Sequence, residues 1–423
     1  MEKCIFHIDV NSAFLSWEAT YRIKHLGAPE DLREIPSAVT GDIAARHGIV
    51  LAKSLPAKRF GVRTGEAVWQ AKRKCPGLVC VPPNYGLYQT SSEALLALLR
   101  EYSPVVEQYS IDEAFIDMTG TEALWGSPEY AAHRLRQRIK EELGFTVNIG
   151  VSENKLLAKM ASDFEKPDRV HTLYRTEIKE KMWGLPVSDL FFVGRHTTRA
   201  LADLSINTIG ELANTPREVL VRRFKKHGET IHAFANGIDV SDVIAAPAAN
   251  KSYGNSTTTA FDVTDLHTAE TVLLSLCETV SARLRADRTF ARVVSVGIKD
   301  FEFSYSSRQT TLISPVNTTL GLHEAACRLL RQLWSGKPLR LLAVYTGRLD
   351  DGSCVQTSLL DFDTADKTRK IDGTLDAIRD KYGIDAVKRA VFMNSGIDHM
   401  SGGISREKRT TEYDKEGIRR GEL

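Results

Sequence analysis

Two adjacent acids, Asp112 and Glu113, sit in the run Tyr109-Ser-Ile-Asp-Glu-Ala-Phe-Ile-Asp-Met118. Residues 105–109 read as the end of one strand and 114–118 as the start of the next, so the pair falls in the turn between them. Neighbouring side chains of a regular strand point to opposite faces, and a turn lets both acids serve one point. Carboxylates held that close repel each other and raise their own pKa values unless a cation lies between them. A hard divalent ion such as magnesium suits carboxylate oxygens and borrows substrate phosphates as further ligands. The plain alternative is an acidic hairpin tip in water. Ile111, Phe115 and Ile116 press apolar surface against the pair and argue against it. A third acid, Asp9, lies near the end of the apolar run Cys4-Ile-Phe-His-Ile-Asp9-Val10, which suits a buried central strand. Asn11 and Ser12 are good caps for a helix over 13–26, and Asp9 alone could simply assist that cap. Joined to Asp112 and Glu113, it completes what a two-metal phosphoryl-transfer site requires. Such ions lie roughly 3.5–4 Å apart and clamp the attacking and leaving oxygens.

Asp9-Val-Asn-Ser-Ala-Phe14 followed by Ser110-Ile-Asp-Glu-Ala-Phe115 resembles the catalytic core of the bacterial Y-family translesion DNA polymerases. The Ser-Ile-Asp-Glu-Ala block is rather specific to that family, and the likeness runs from the N-terminus to about Asp363. The resemblance implies that Asp9, Asp112 and Glu113 are catalytic and hold two Mg²⁺ ions with the help of Val10. It makes Phe14 the steric gate, a ring under the sugar of the incoming nucleotide that leaves no room for a 2′-hydroxyl. Core packing is the ordinary fate of such an aromatic. Ala13, Phe14, Ser54, Lys58 and Lys166 become the nucleotide-binding residues. The commoner family pattern has Tyr-Glu where this chain has Leu55-Pro56. In the fingers, Ala52-Lys53-Ser54 with Ala57-Lys58 looks closer to the DNA polymerase V catalytic subunit than to polymerase IV. Without the tyrosine, Ser54 or Lys53 would have to supply its phosphate contact.

At 423 residues the chain exceeds one typical domain. Hydrophobic content of 42% and charged content of 26% are those of an ordinary globular protein. A net charge of +2 announces no global attraction to nucleic acid, so DNA contacts must come from local patches. Cysteines 4, 75, 80, 277, 327 and 354 show no paired metal spacing and read as reduced residues of a cytosolic protein. No signal peptide or membrane-spanning run is legible, so a cytoplasmic, nucleoid-associated location without membrane partners is expected.

Along the chain, the expected fold is α+β and multidomain: a ferredoxin-like palm, small fingers, a helical thumb and a βαββαβ little finger. The palm takes 1–12 and 84–168. It contains helices over 88–102, 128–143 and 153–164 (the last capped by Ser152) and a strand over 146–152. The fingers take 13–83, with basic helices around Lys58 and over 63–74. They are too small for a replicative closing helix, so low fidelity is expected. The thumb takes 169–244. Its Phe192-Val-Gly-Arg segment fills the helix-hairpin-helix slot, where the amides near Gly194 would hold a DNA phosphate. His196 stands in place of the usual second glycine. Arg222 and Arg223 are further DNA-binding candidates. The linker 245–251 ends in Lys251, also a candidate, and the little finger takes 252–350. In the tail, 351–423, the segment 356–362 resembles the bacterial sliding-clamp peptide. Gln356, Ser358, Leu359, Leu360 and Phe362 would dock it into a preformed groove. A short helix over 374–382 ended by Gly383, then a charged disordered end, completes the chain.

The resemblance implies low-fidelity, template-directed nucleotide addition in translesion synthesis and the SOS response. The partners would be primer-template DNA, dNTPs and the sliding clamp, with a recombinase filament or accessory subunit left open. Two rivals are a catalytically idle DNA- and clamp-binding member and a nucleotidyl cyclase. A cyclase has no need of the downstream DNA-gripping domains.

Overall fold

The computed structural model describes residues 3–43, 46, 48–246, 249–351 and 362–402. They form two compact units, one built from 3–40 with 50–246, the other chiefly from 249–351 with 362–402.

The first unit is organised around β1 (Ile5–Val10), all six of whose residues are buried. A run that is apolar except for His7 and Asp9 suits a strand covered on both faces. β1 lies between β6 (Glu113–Asp117) and β7 (Val147–Ser152), antiparallel to both. β5 (Val106–Gln108) and β8 (Val170–Thr172) complete the order β5-β6-β1-β7-β8. β8 runs parallel to β7 and carries the sheet past residue 168, where the palm was expected to end. One face carries Phe6, Ile8 and Val10 into a core with Leu15, Trp17, Leu95, Leu99, Leu135 and Ile139. Those residues come from the helices Ala13–Leu26, Tyr85–Tyr102 and Pro128–Arg138 and from the single π-turn Ile139–Leu143 that follows the last.

The other face is covered by the helix Lys155–Ser162, which lies directly on β7 at Gly150. A Cβ at Gly150 would sit 1.9 Å from the Ala158 carbonyl oxygen, so only glycine permits this approach. The cap of this helix is not Ser152, whose hydroxyl donates to Leu173 O at 2.5 Å. Asn154 does the work, its side chain accepting from Leu157 N at 2.8 Å. Ser12 likewise makes no cap hydrogen bond, since its backbone is left-handed at φ 50°.

The fingers have their own small core around a sheet of β3 (Val50–Lys53), β2 (Ser37–Thr40) and β4 (Val79–Val81). The expected helix over 63–74 is confined to Val68–Lys74. Four short helices, Arg195–Ala202, Ile209–Asn214, Arg217–Phe224 and Lys226–Ala235, follow and pack on a separate apolar cluster.

The second unit is an antiparallel sheet of order β11-β10-β12-β9. Its strands are β9 (Ser252–Val263), β10 (Phe290–Asp300), β11 (Tyr305–Val316) and β12 (Leu339–Asp350). The helices Leu266–Ala286 and Thr319–Leu333 pack on it. Its C-terminal part corrects the expectation of a short helix and, as far as residue 402, of a disordered end; residues 403–423 lie outside the described residues. The helix runs from Phe362 to Tyr382, and Gly383 ends it at φ 97°. Arg285 grips Asp376 through two hydrogen bonds of 2.6 and 2.8 Å, and Arg379 and Arg389 both reach the buried Glu278 at 3.1 Å. Residues up to 402 stay on this unit, where Asn255 and Thr279 donate to the Ser401 carbonyl. Complementary charges on separate elements order a stretch whose composition alone reads as solvated.

Candidate active site

A cleft of about 860 Å³ opens at the end of β1. Asp9, Val10, Ala13, Phe14, Ser54, Lys58, Asp112 and Lys166 all line it. Residues far apart in sequence therefore converge where the acids were expected to meet. Asp112 lies in the turn before β6, held by two local contacts. Its carbonyl accepts from Val10 N at 3.0 Å, and its carboxylate accepts from Ser110 Oγ at 2.6 Å. Glu113 is the first residue of β6 and pairs in register with Asp9, so the two side chains leave the same face of the sheet.

Burial lifts the Asp9 carboxyl to about 6, against the pull of the Lys166 ammonium, which is hydrogen-bonded to it. Burial alone would lower the Lys166 amine, but Asp9 and Asp163 outweigh it and raise it. The lysine's loop is fixed from both sides. Asn148 donates to Glu165 O at 2.6 Å, and Asn11 accepts from Asp168 N at 2.9 Å. Asn11, expected only as a cap, is thus a brace for Lys166.

On the fingers side, Lys58 rides on the short helix Leu55–Arg59. Partial burial and the neighbouring Lys58 charge lower the Lys53 amine, a pair of cations that an anion between them would relieve. Ser54 lines the cleft, but its hydroxyl is engaged in the fold. It donates to Ile35 O at 2.7 Å and accepts from Ser37 N and Ala57 N at 3.1 Å. Its hydroxyl proton is committed, so its contribution is to cap the helix that carries Lys58. Phe14 stacks on Tyr88 with centroids 4.4 Å apart and meets Tyr85 edge-on at 5.9 Å. The stack holds the Phe14 ring at the cleft wall. Tyr88 was read only as the first residue of the helix expected over 88–102.

Sequence reasoning missed two residues beneath the sheet. Lys159 is buried and donates to Glu113 Oε1 at 2.5 Å. Its signal was present: Lys155 and Lys159 stand one turn apart in the otherwise apolar helix Lys155–Ser162. His7, fully buried, meets Ser162 Oγ through Nδ1 at 2.8 Å. That hydroxyl gives its proton to Lys159 O, so His7 Nδ1 is the donor and Nε2 keeps its lone pair. Burial first, then the Lys159 and Lys166 charges, hold His7 well below its ordinary pKa. It is neutral, and its Nε2 stands 4.0 Å from Glu113 without a hydrogen bond.

The DNA-binding candidates lie elsewhere. Gly194 opens the helix Arg195–Ala202, and its carbonyl accepts from Thr198 N at 2.9 Å. Arg222 and Arg223 are exposed in the last turn of Arg217–Phe224, and Lys251 is exposed just before β9. The segment 356–361 lies outside the described residues, as does the side chain of Phe362. No helix among the described residues is long and apolar enough to cross a membrane.

Comparison with known proteins adds to this geometry. The impB/mucB/samB family profile matches residues 8–163, and the profile of that family's C-terminal domain matches 250–359. The chain is 44% identical over 393 residues to a DNA polymerase IV of Clostridium acetobutylicum, covering 93% of this chain and 99% of that one. A DNA polymerase IV of Acetivibrio thermocellus is 38% identical over 398 residues, with 93% and 98% covered. These whole-chain relatives carry the polymerase IV name, whereas the fingers motif by itself looked closer to polymerase V. In fold, the chain resembles a solved Y-family DNA polymerase chimera, with a TM-score of 0.69 and 20% identity. The match covers 82% of this chain and 98% of that one.

Proposed function

The chain belongs to the impB/mucB/samB family, the Y-family translesion DNA polymerases, and from this premise we propose a two-metal nucleotidyl transfer from dNTP to a primer 3′-hydroxyl. The observation that carries the reading is the single cleft lined by two of the three acids, the gate ring and the two lysines. The donor set suits hard divalent ions: the buried Asp9 has its acidity suppressed for want of a stronger counter-charge than Lys166, and Asp112 faces the same space. Asp9, Val10, Asp112 and Glu113 would hold two Mg²⁺ ions, which when bound supply charge neutralisation at the attacking and leaving oxygens.

The protein's own groups do the rest. Lys58 and Lys166 stabilise the triphosphate charge, with Lys53 beside them in place of the missing tyrosine. Arrival of a triphosphate draws Lys166 off Asp9 and frees that carboxylate. Phe14, held flat by Tyr88, excludes the 2′-hydroxyl. The domain limits proposed are palm 1–12 and 84–168 with β8 added to its sheet, fingers 13–83, thumb the remainder of 169–244, linker 245–251, little finger 252–350 and tail 351–423. Gly194, Arg222, Arg223 and Lys251 contact the DNA backbone, and 356–362 engages the sliding clamp. The setting is the cytoplasm at the nucleoid, during the SOS response.

The test is primer extension with Mg²⁺ on undamaged and damaged templates, with and without clamp. A protein that binds primed DNA yet adds no nucleotide under any of these conditions would reject the reading.

A further inference from the structure

Glu113 differs from the other two acids in one respect. Asp9 and Asp112 line the cleft, whereas Glu113 is drawn beneath the sheet onto Lys159 Nζ at 2.5 Å. The rings of Tyr109 and Phe191 stand 6.0 and 5.6 Å from that ammonium, within cation–π range. Lys159 itself does not line the cleft, and its side chain is nearly closed off from solvent. Lys166 is different: it reaches the cleft, is partly exposed, and can move onto an arriving triphosphate. Lys159 has no such exit. His7 makes no hydrogen bond to Glu113, so Lys159 is the cation that Glu113 holds among the described residues.

We infer that Lys159 is a positioning residue that holds Glu113 on a fixed internal cation and so competes directly with the metal ion this acid would bind. The inference rests on the polymerase reading only for the ion's catalytic role. A permanent +1 charge beside one ligand weakens divalent-ion binding in the DNA-free protein. Uptake is thereby biased toward the complex, where substrate phosphates add their own charge.

The experiment uses the full chain and Mn²⁺ as probe, with bound and free ion distinguished by the electron paramagnetic resonance signal. Lys159→Met is expected to bind Mn²⁺ about five- to tenfold more tightly without DNA, the scale set by removing one nearby unit charge. Lys159→Arg keeps the charge and is expected within about twofold of the parent. In a Glu113→Gln background, Lys159→Met is expected to have a clearly smaller effect, because only the through-space repulsion remains once that carboxylate is neutral. Should Lys159→Met fail to fold, Lys159→Gln is neutral, keeps a hydrogen bond to Glu113 and carries the same expectation.

Unchanged or weaker Mn²⁺ binding in a folded neutral variant would overturn the inference and leave Lys159 a structural ion-pair residue. A parent protein that binds Mn²⁺ but extends no primer would instead sink the polymerase reading. The comparison of variants would still decide the role of Lys159.

Discussion

Asp9 and Glu113 stand opposite each other in the register of β1 and β6, so one acid of the turn and one acid from the chain's beginning share a face of the palm sheet. Asp112, one residue earlier, leaves the sheet at the turn and reaches the cleft by another route. Removing either cleft carboxylate should therefore stop chemistry without loosening DNA. Asp112→Ala and Asp9→Asn are expected to lower primer extension by roughly a hundredfold or more, with DNA affinity unchanged in a mobility-shift assay. Synthesis near the parent rate would reject the assignment.

Phe14 is wedged between Tyr88 and the cleft, and under the proposed function its ring is what a 2′-hydroxyl would strike. Phe14→Ala should admit ribonucleotides, read as extension with rNTPs alone. Tyr88→Ala should relax the same selectivity less, by unseating the ring. Strict deoxynucleotide use by Phe14→Ala would mean that the gate is another group.

The Asp9 carboxyl, raised to about 6 mainly by burial, sets a pH window. Its folded value exceeds its ordinary one, so protonation stabilises the metal-free protein below about pH 4, and that contribution is lost as pH rises through 6. Metal binding has the opposite sign, because the ion must displace this proton. Mn²⁺ affinity should fall about tenfold per unit below pH 6 and level off above 7. A flat profile from pH 5 to 8 would show that Asp9 does not titrate at the site.

Gly150→Ala would drive a methyl group into the Ala158 carbonyl, a backbone atom that only movement of the whole helix can clear. We expect a loss of about 1–3 kcal/mol in denaturant unfolding, together with weakened primer extension, because Lys159 is carried on that helix and Lys166 follows it. Full stability in the variant would show that the helix lies further from β7 than the structure has it.

Glu278 is buried between Arg379 and Arg389 of the C-terminal part. Glu278→Ala leaves Arg379 buried without its carboxylate partner, and breaking such a pair costs about 3–5 kcal/mol. Limited proteolysis should then cut between residues 362 and 402 at protease levels the parent resists. Equal resistance would mean that this network does not hold the segment down.

Much of the cleft's lining was legible in the chain. Asp9 and Asp112 were singled out by residue type and turn position, Phe14, Lys58 and Lys166 by the family resemblance, and all five line one cleft; the alternation of apolar and turn residues located the strands. The six elements of the second unit's sheet and helix layer were also readable, because period-2 and period-3.6 patterns are local properties. What could not be read were pairings between distant segments. The Ser54 hydroxyl, expected for phosphate, is consumed by Ile35 and two fingers amides, a use that depends on which strand lies beside it. The C-terminal part is charged, and composition cannot reveal that Arg285 waits for Asp376, and Glu278 for Arg379 and Arg389, on another helix. Lys159 looked like one lysine among many until the helix Lys155–Ser162 was laid against Gly150 and its amine met Glu113.

The amino-acid order by itself therefore determined which groups are available and the local elements that carry them. Only the tertiary structure decided which charges face each other, because the energy of an ion pair depends on separation and burial, and neither is written in a residue's neighbours along the chain.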